Sequence, residues 1–197
     1  MFREPHIFIL AATTLKNVVD QIKDEQWNMI MPEDFSKSQP GDVTLREIIN
    51  SHAYDLAWVP DMLLGKTMDD AGKAKFDGDL LDGDAKGKFA EYVKNAILGA
   101  REVTEPERIV HCSFGDFTTE DYLQQITMFH GLRAYDIARA IGGDTNLPEA
   151  LVEGLWDEIV PRADEFRKIG VLPNPVDVPE DAPLQTQLLG LTGRQPL

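Results

Sequence analysis

Cysteine is nearly absent from this chain. A single one, Cys112, stands among 197 residues, which excludes an intramolecular disulfide framework and any zinc site built on several thiolates. Basic residues are scarce beside acidic ones: 19 Lys and Arg face 34 Asp and Glu, for a net charge of −15. That balance argues against nucleic acid, whose phosphates need a basic face, and against anionic membrane surfaces. Long apolar runs are missing too. The nearest imitation of a signal-peptide core, Ile7 to Ala12, is short, has Arg3 offset by Glu4 in its flank, and continues as an amphipathic pattern to Ile22. No segment is long and apolar enough to cross a bilayer, so the chain reads as cytoplasmic. It has no repeat of about 20–50 residues and no series of alternating strands.

What is present is helical periodicity, on a chain that is 43% hydrophobic. Five segments are expected to be helices. The first runs from about Pro5 to Asp24, with Ile7, Ala11, Thr14, Val18 and Ile22 on one face. The second opens on "TLRE", a capping box in which the Thr44 hydroxyl accepts from an orphan N–H and Glu47 reaches back. It stops near Gly65, with Pro60 expected to bend it. A third covers about Ala85 to Val103, with Phe89, Tyr92, Val93, Ala96 and Ala100 in phase. The fourth follows Thr118 and stops at Gly142-Gly143. The fifth runs from Pro148 to about Lys168, kinked at Pro161 and ended by Gly170. The Gly- and Asp-rich stretch "KTMDDAGKAKFDGDLLDGDAKGK" reads as an exposed connection, and the proline-rich C-terminal segment as an extended strap. The expectation is an all-α antiparallel bundle over residues 1–170, with one additional helix, and an extended tail over 171–197 packing on it.

Two helices carry ionisable groups where apolar ones are expected. In the second, His52 lies inside the stripe Leu45, Ile48, Ile49, Leu56, Val59, Leu63. In the fourth, His130 shares an edge with Leu123, Ile126, Ala134 and Ile137, while Arg133 and Asp136 follow Phe129 on the other edge. His130 and Arg133 are three apart, as are Arg133 and Asp136, so each pair shares a surface. If the two helices face each other, His52 and this trio surround one polar pocket. Burying such groups costs several kcal/mol per ion unless they are paired or hold a ligand. In the plainer reading, Arg133 reaches water along the helix edge and His130 bonds a backbone carbonyl.

Three stretches resemble the DinB-like superfamily, in the branch related to the N-terminal domain of mycothiol-dependent maleylpyruvate isomerase. "DEQWNMIMPEDFSKSQPGDVTLREIINSHAYDLAWVPDMLLGKT" is similar to that branch's first hairpin, a Trp and a turn followed by a helix with a ligand His. "SFGDFTTEDYLQQITMFHGLRAYDIARAIG" is similar to its Gly-containing lead-in and fourth helix, and "VDVPEDAPLQTQLLGLTGRQP" to its closing segment. The resemblance implies a DinB-like antiparallel four-helix bundle over residues 1–170. It also implies a zinc or nickel ion held by the helix-two His and by a Glu and a His on helix four, and a possible pairing with a second copy of the chain as a homodimer.

His52 matches the helix-two ligand. Counting back from Asp136, the family's His position is occupied by Arg133 and its Glu position by Phe129. Neither coordinates: arginine stays protonated and phenylalanine has no lone pair. His130 lies one step away, about 100° around the axis. Two outcomes stay open. In one, His130 joins His52 in a rearranged metal site. In the other, the metal is lost, and the Arg133 guanidinium takes its place and suits a carboxylate or other anion.

Two functions follow. The resemblance implies a metal-dependent transferase or isomerase using a low-molecular-weight thiol of the mycothiol type on a small-molecule substrate. His52 and His130 would be the metal ligands, and Arg133 and Asp136 the catalytic pair, Arg133 holding a substrate carboxylate. The alternative is a non-catalytic helical bundle that binds a small anion or a protein partner. The remaining candidates are weaker. "DGDAKGKFAEYV" imitates a calcium loop, but Lys86 and Val93 stand where ligands belong. His111 and Cys112 are adjacent in an extended segment and so point to opposite sides; Cys112 reads as an inert thiol. His6 reads as a surface residue, and Trp27, Trp58 and Trp156 as core or cover.

Overall fold

The computed structural model describes residues 2–32 and 42–196. The turn expected in the first hairpin, within residues 33–41, lies outside them. Two compact units are present, Met1–Thr145 and Asn146–Leu197. The chain is mostly helical, and an all-α class describes it apart from one two-stranded hairpin.

In the first unit the long helices are α1 (Glu4–Gln21), α2 (Leu45–Leu63), α4 (Ala85–Glu102) and α5 (Thr119–Ile141), with a single helical turn, α3 (Met68–Ala71), in the connection after α2. Helix α1 packs against α5 and α4, and α2 packs against α4. The neighbours therefore run in an arc, α5–α1–α4–α2, whose two ends meet only narrowly. Apolar stripes explain the arrangement. Phe8, Leu15 and Val19 of α1, Leu45, Ile49 and Leu56 of α2, Phe89 of α4, and Leu123 and Ile137 of α5 are all fully buried. Each contributes roughly 1.5–3 kcal/mol by leaving water. Alanines at 11, 12, 96 and 100 are also fully buried, and their small side chains let α1 and α4 approach their neighbours closely.

The local starts and stops follow from particular residues. Thr44 caps α2 as expected: its hydroxyl accepts from the Glu47 N–H at 3.2 Å, and the Glu47 carboxylate accepts from the Thr44 N–H at 2.8 Å. Two turns further along the same stripe stands His52. A short hairpin of β1 (Ile109–Cys112) and β2 (Gly115–Thr118) leads into α5. No strand was expected there, because four residues per strand are too few for an alternation to declare itself. The Thr119 N–H and hydroxyl both donate to the Arg108 carbonyl, at 2.8 and 3.0 Å, which ties the first residue of α5 to the hairpin's base. Gly142 ends α5 with φ of 69°, the left-handed conformation that glycine adopts without a Cβ penalty.

The second unit contains α6 (Glu149–Ile159), a 3-10 turn at Val160–Arg162, α7 (Ala163–Lys168) and α8 (Leu184–Leu191). The helix expected to run from 148 to 168 with a kink at Pro161 is thus two helices. Pro161, which has no N–H to donate and crowds the preceding turn, supplies the break. The end of the strap, expected to be extended, is instead the helix α8. It is held within its own unit by the Val176 N–H donating to the Gly190 carbonyl at 2.9 Å and by Arg167 donating to the Leu191 carbonyl at 2.8 Å. Among the described residues no helix is long and apolar enough to cross a membrane.

Candidate metal centre

Burying the stripes of α2 and α5 carries two imidazoles inside. His52 is 1% exposed and His130 is 0% exposed, and their ring centroids stand 5.2 Å apart where the two helices meet. One turn beyond His52 on the same helix, Asp55 presents a half-buried carboxylate to the same place. One donor atom from each of His52, Asp55 and His130 lies within 4.8 Å of the others. Among the described residues, this is the group of such side chains close enough to hold a metal ion.

The electrostatics of the cluster are set by burial. Neither nitrogen of either imidazole has a hydrogen-bond partner. Buried polar atoms are nearly always bonded; each neutral imidazole has one lone pair and one N–H, so a metal ion would use two of these four nitrogens. Burial pushes His130 down to about 3. It holds His52 well below its usual value, with smaller contributions from the charges of His130 and Arg133. Both rings are therefore neutral near pH 7, the form that coordinates. Burial pushes the Asp55 carboxyl up to about 7, so in the absence of a cation it is easily protonated. A divalent ion would restore its charge. Two borderline imidazoles and one hard carboxylate, with no soft thiolate among them, suit first-row divalent metals. The residues fit a metal.

Arg133 and Asp136, the expected catalytic pair, lie beside this cluster. The Arg133 guanidinium is 3.7 Å from the Asp136 carboxylate, both side chains being mostly buried. It also stands 5.8 Å from the Phe129 ring. Phe129 in turn packs on His52, with centroids 4.7 Å apart and planes 36° from parallel. Arg133 is thus close to His52 and carries fixed positive charge next to the site without being a ligand.

The sequence reading missed Asp55. It sought the third donor on α5, following the resemblance, whereas the structure supplies it from α2. The spacing His-x-x-Asp, three apart on one helix face, was the available clue.

The other candidates fall elsewhere. His111 Nδ1 lies 2.8 Å from the Asp116 carboxylate across the hairpin. Burial, and then the nearby Asp116 charge, push the Cys112 thiol up to about 11, as suits an unreactive thiol. Asp84 of the calcium-loop imitation caps α4, accepting from the Gly87 N–H at 3.0 Å. Trp58 is buried, edge-on to Phe76 at 5.0 Å. A cleft of about 620 Å³ opens between the C-terminal halves of α2 and α4, lined by Pro60, Leu63, Phe76 and Leu98 among others; none of the three cluster residues lines it.

No protein-family model matches the chain, and no curated protein or solved structure is detectably similar to it.

Proposed function

We propose that this protein is a DinB-like metal-dependent transferase or isomerase. In this reading α1, α2, α4 and α5 form the antiparallel four-helix bundle of that superfamily, and His52, Asp55 and His130 hold a zinc or nickel ion. The observation that carries the reading is the convergence of two unpartnered neutral imidazoles and one carboxylate in the interior. When bound, such an ion lowers the pKa of a coordinated low-molecular-weight thiol of the mycothiol type and so supplies thiolate at neutral pH.

The chain's own residues do the rest. His52 and His130, kept neutral by burial, offer lone pairs without having to lose a proton. Asp55 would hold the ion as a carboxylate, setting one negative charge against the cation. Arg133, fixed by Asp136 and by the Phe129 ring, adds a positive charge that favours an anionic group on the substrate. The apolar residues around the imidazoles exclude water, which strengthens each of these interactions.

The test is metal analysis of protein purified without an affinity tag that carries metal. One equivalent of zinc or nickel, lost in His52→Ala, Asp55→Asn and His130→Ala, supports the reading. Wild-type protein that takes up no divalent ion at micromolar concentration sinks it and leaves a non-catalytic bundle.

A further inference from the structure

Two phenyl rings pack on the cluster, and they differ in one respect. Phe8 of α1 lies 6.5 Å from His130 and is fully buried. The two imidazoles are equally enclosed. Phe129 also touches the cluster, 4.7 Å from the His52 ring and 5.9 Å from the His130 ring, yet 41% of its surface is in solvent. One side chain therefore contacts both imidazoles and meets water at the same time.

A phenyl group in that position has no polar atom to place and no chemistry of its own. Its effect is steric and dielectric. It lies on the outer side of rings whose four nitrogens are closed to solvent, and Arg133 stands near it without enclosing it. We infer that Phe129 is the access-determining residue of this centre: the bulk of the side chain at 129 sets how readily small molecules reach His52 and His130. The half-buried Asp55 carboxyl then marks the remaining approach. A ligand that enters would either pass along Asp55 or displace a ring that packs on the imidazoles of both helices. The role concerns α5, whereas Phe8 on α1 forms the inner wall and does not move in this account. The inference deepens the proposed metal centre and takes its chemical meaning from it.

The experiment uses the full chain, stripped of metal with a chelator, and diethyl pyrocarbonate as the probe. This reagent acylates neutral imidazole nitrogen. The four histidines, 6, 52, 111 and 130, are followed separately by mass spectrometry of peptides, and His111, whose side chain is 36% exposed, is the internal reference. In the wild type His52 and His130 react far more slowly than His111. Phe129→Ala raises the His52 rate by about tenfold or more, with Phe129→Leu in between, while His111 is unchanged. Unfolding midpoints of all three proteins are measured alongside; a lowered midpoint in the alanine variant shifts the comparison to leucine against wild type, where apolar bulk is largely kept. A His52 rate that stays within about twofold across the series, or that equals the His111 rate in the wild type, overturns the inference. Zinc uptake by the same preparations is scored separately. Protein that binds no zinc but whose labelling follows the residue at 129 keeps the access role and loses the metal reading.

Discussion

His52 and His130 belong to different helices, stand 5.2 Å apart between ring centroids, and share neither a hydrogen bond with each other nor one with anything else. Two buried imidazoles without partners weaken a fold unless something else uses them, and most of what can be tested here follows from that pairing.

Metal addition raises the unfolding temperature. Free ion at about 100 times its dissociation constant adds about 2.7 kcal/mol, which for a chain of this size corresponds to a rise of about 5–10 °C. Calorimetry with and without zinc measures it. In Asp55→Asn the rise falls to about a third or less, because an amide is a poor metal ligand. A full rise in that variant would remove Asp55 from the site.

Acid weakens the metal-free protein well before its surface carboxylates titrate. In the unfolded chain each histidine takes up a proton below its ordinary value of 6.5, whereas in the fold burial keeps His130 neutral to about 3 and holds His52 neutral well below 6.5. The unfolded state then binds more protons, so stability is intact above pH 6.5 and declines as the pH falls towards 3. Asp55 opposes this, since burial raises it to about 7 and the fold is the state that keeps its proton. Two imidazoles outweigh one carboxyl, and the net loss between pH 6.5 and 5 is about 1–2 kcal/mol. Denaturant titrations at those two pH values test the sign, and His130→Phe flattens the slope. Stability that increases on acidification contradicts the account.

Cys112 reacts sluggishly. Burial first, and then Asp116, push its thiol up to about 11, so at pH 8 very little thiolate is present. Alkylation by iodoacetamide is expected to run at least about tenfold slower than that of a free cysteine. Comparable rates would return the hairpin thiol to the list of chemical candidates.

Thr44 supports the helix that carries two of the three donors. Thr44→Ala removes the acceptor for the Glu47 N–H and costs about 1 kcal/mol, read from the denaturation midpoint. Thr44→Ser retains the cap and most of the stability. Equal losses in both variants would mean that the hydroxyl is not the stabilising group.

How much of this could be read beforehand varied with the physics involved. The cap at Thr44 and the stop at Gly142 depend on neighbours along the chain, and both appear where the residues place them. His52 and His130 could be found because each interrupts an apolar stripe, and a stripe is buried whatever it packs against. Asp55 could not be found that way. It sits at the margin of the α2 stripe, where a carboxylate is usually solvated, and only the approach of α5 makes it half-buried. The short hairpin at 109–118 and the helix α8 were missed for another reason: brief elements owe their form to tertiary contacts more than to their own periodicity. Pro161 was expected to kink a helix and instead divides it, a difference of degree that backbone sterics alone do not decide.

The arc α5–α1–α4–α2 has one thinly stitched seam, between its first and last members, and the donors lie across it, two on one lip and one on the other. An ion seated there would work as a clasp on a bracelet. Without it α2 and α5 have little grip on each other, although α4 and α1 still hold them, and amide exchange in metal-stripped protein should quicken along those two helices while α1, flanked on both sides, stays protected. The catch of the bracelet would then be a fastening as well as a binding place, so that emptying it would loosen the protein's hold on itself.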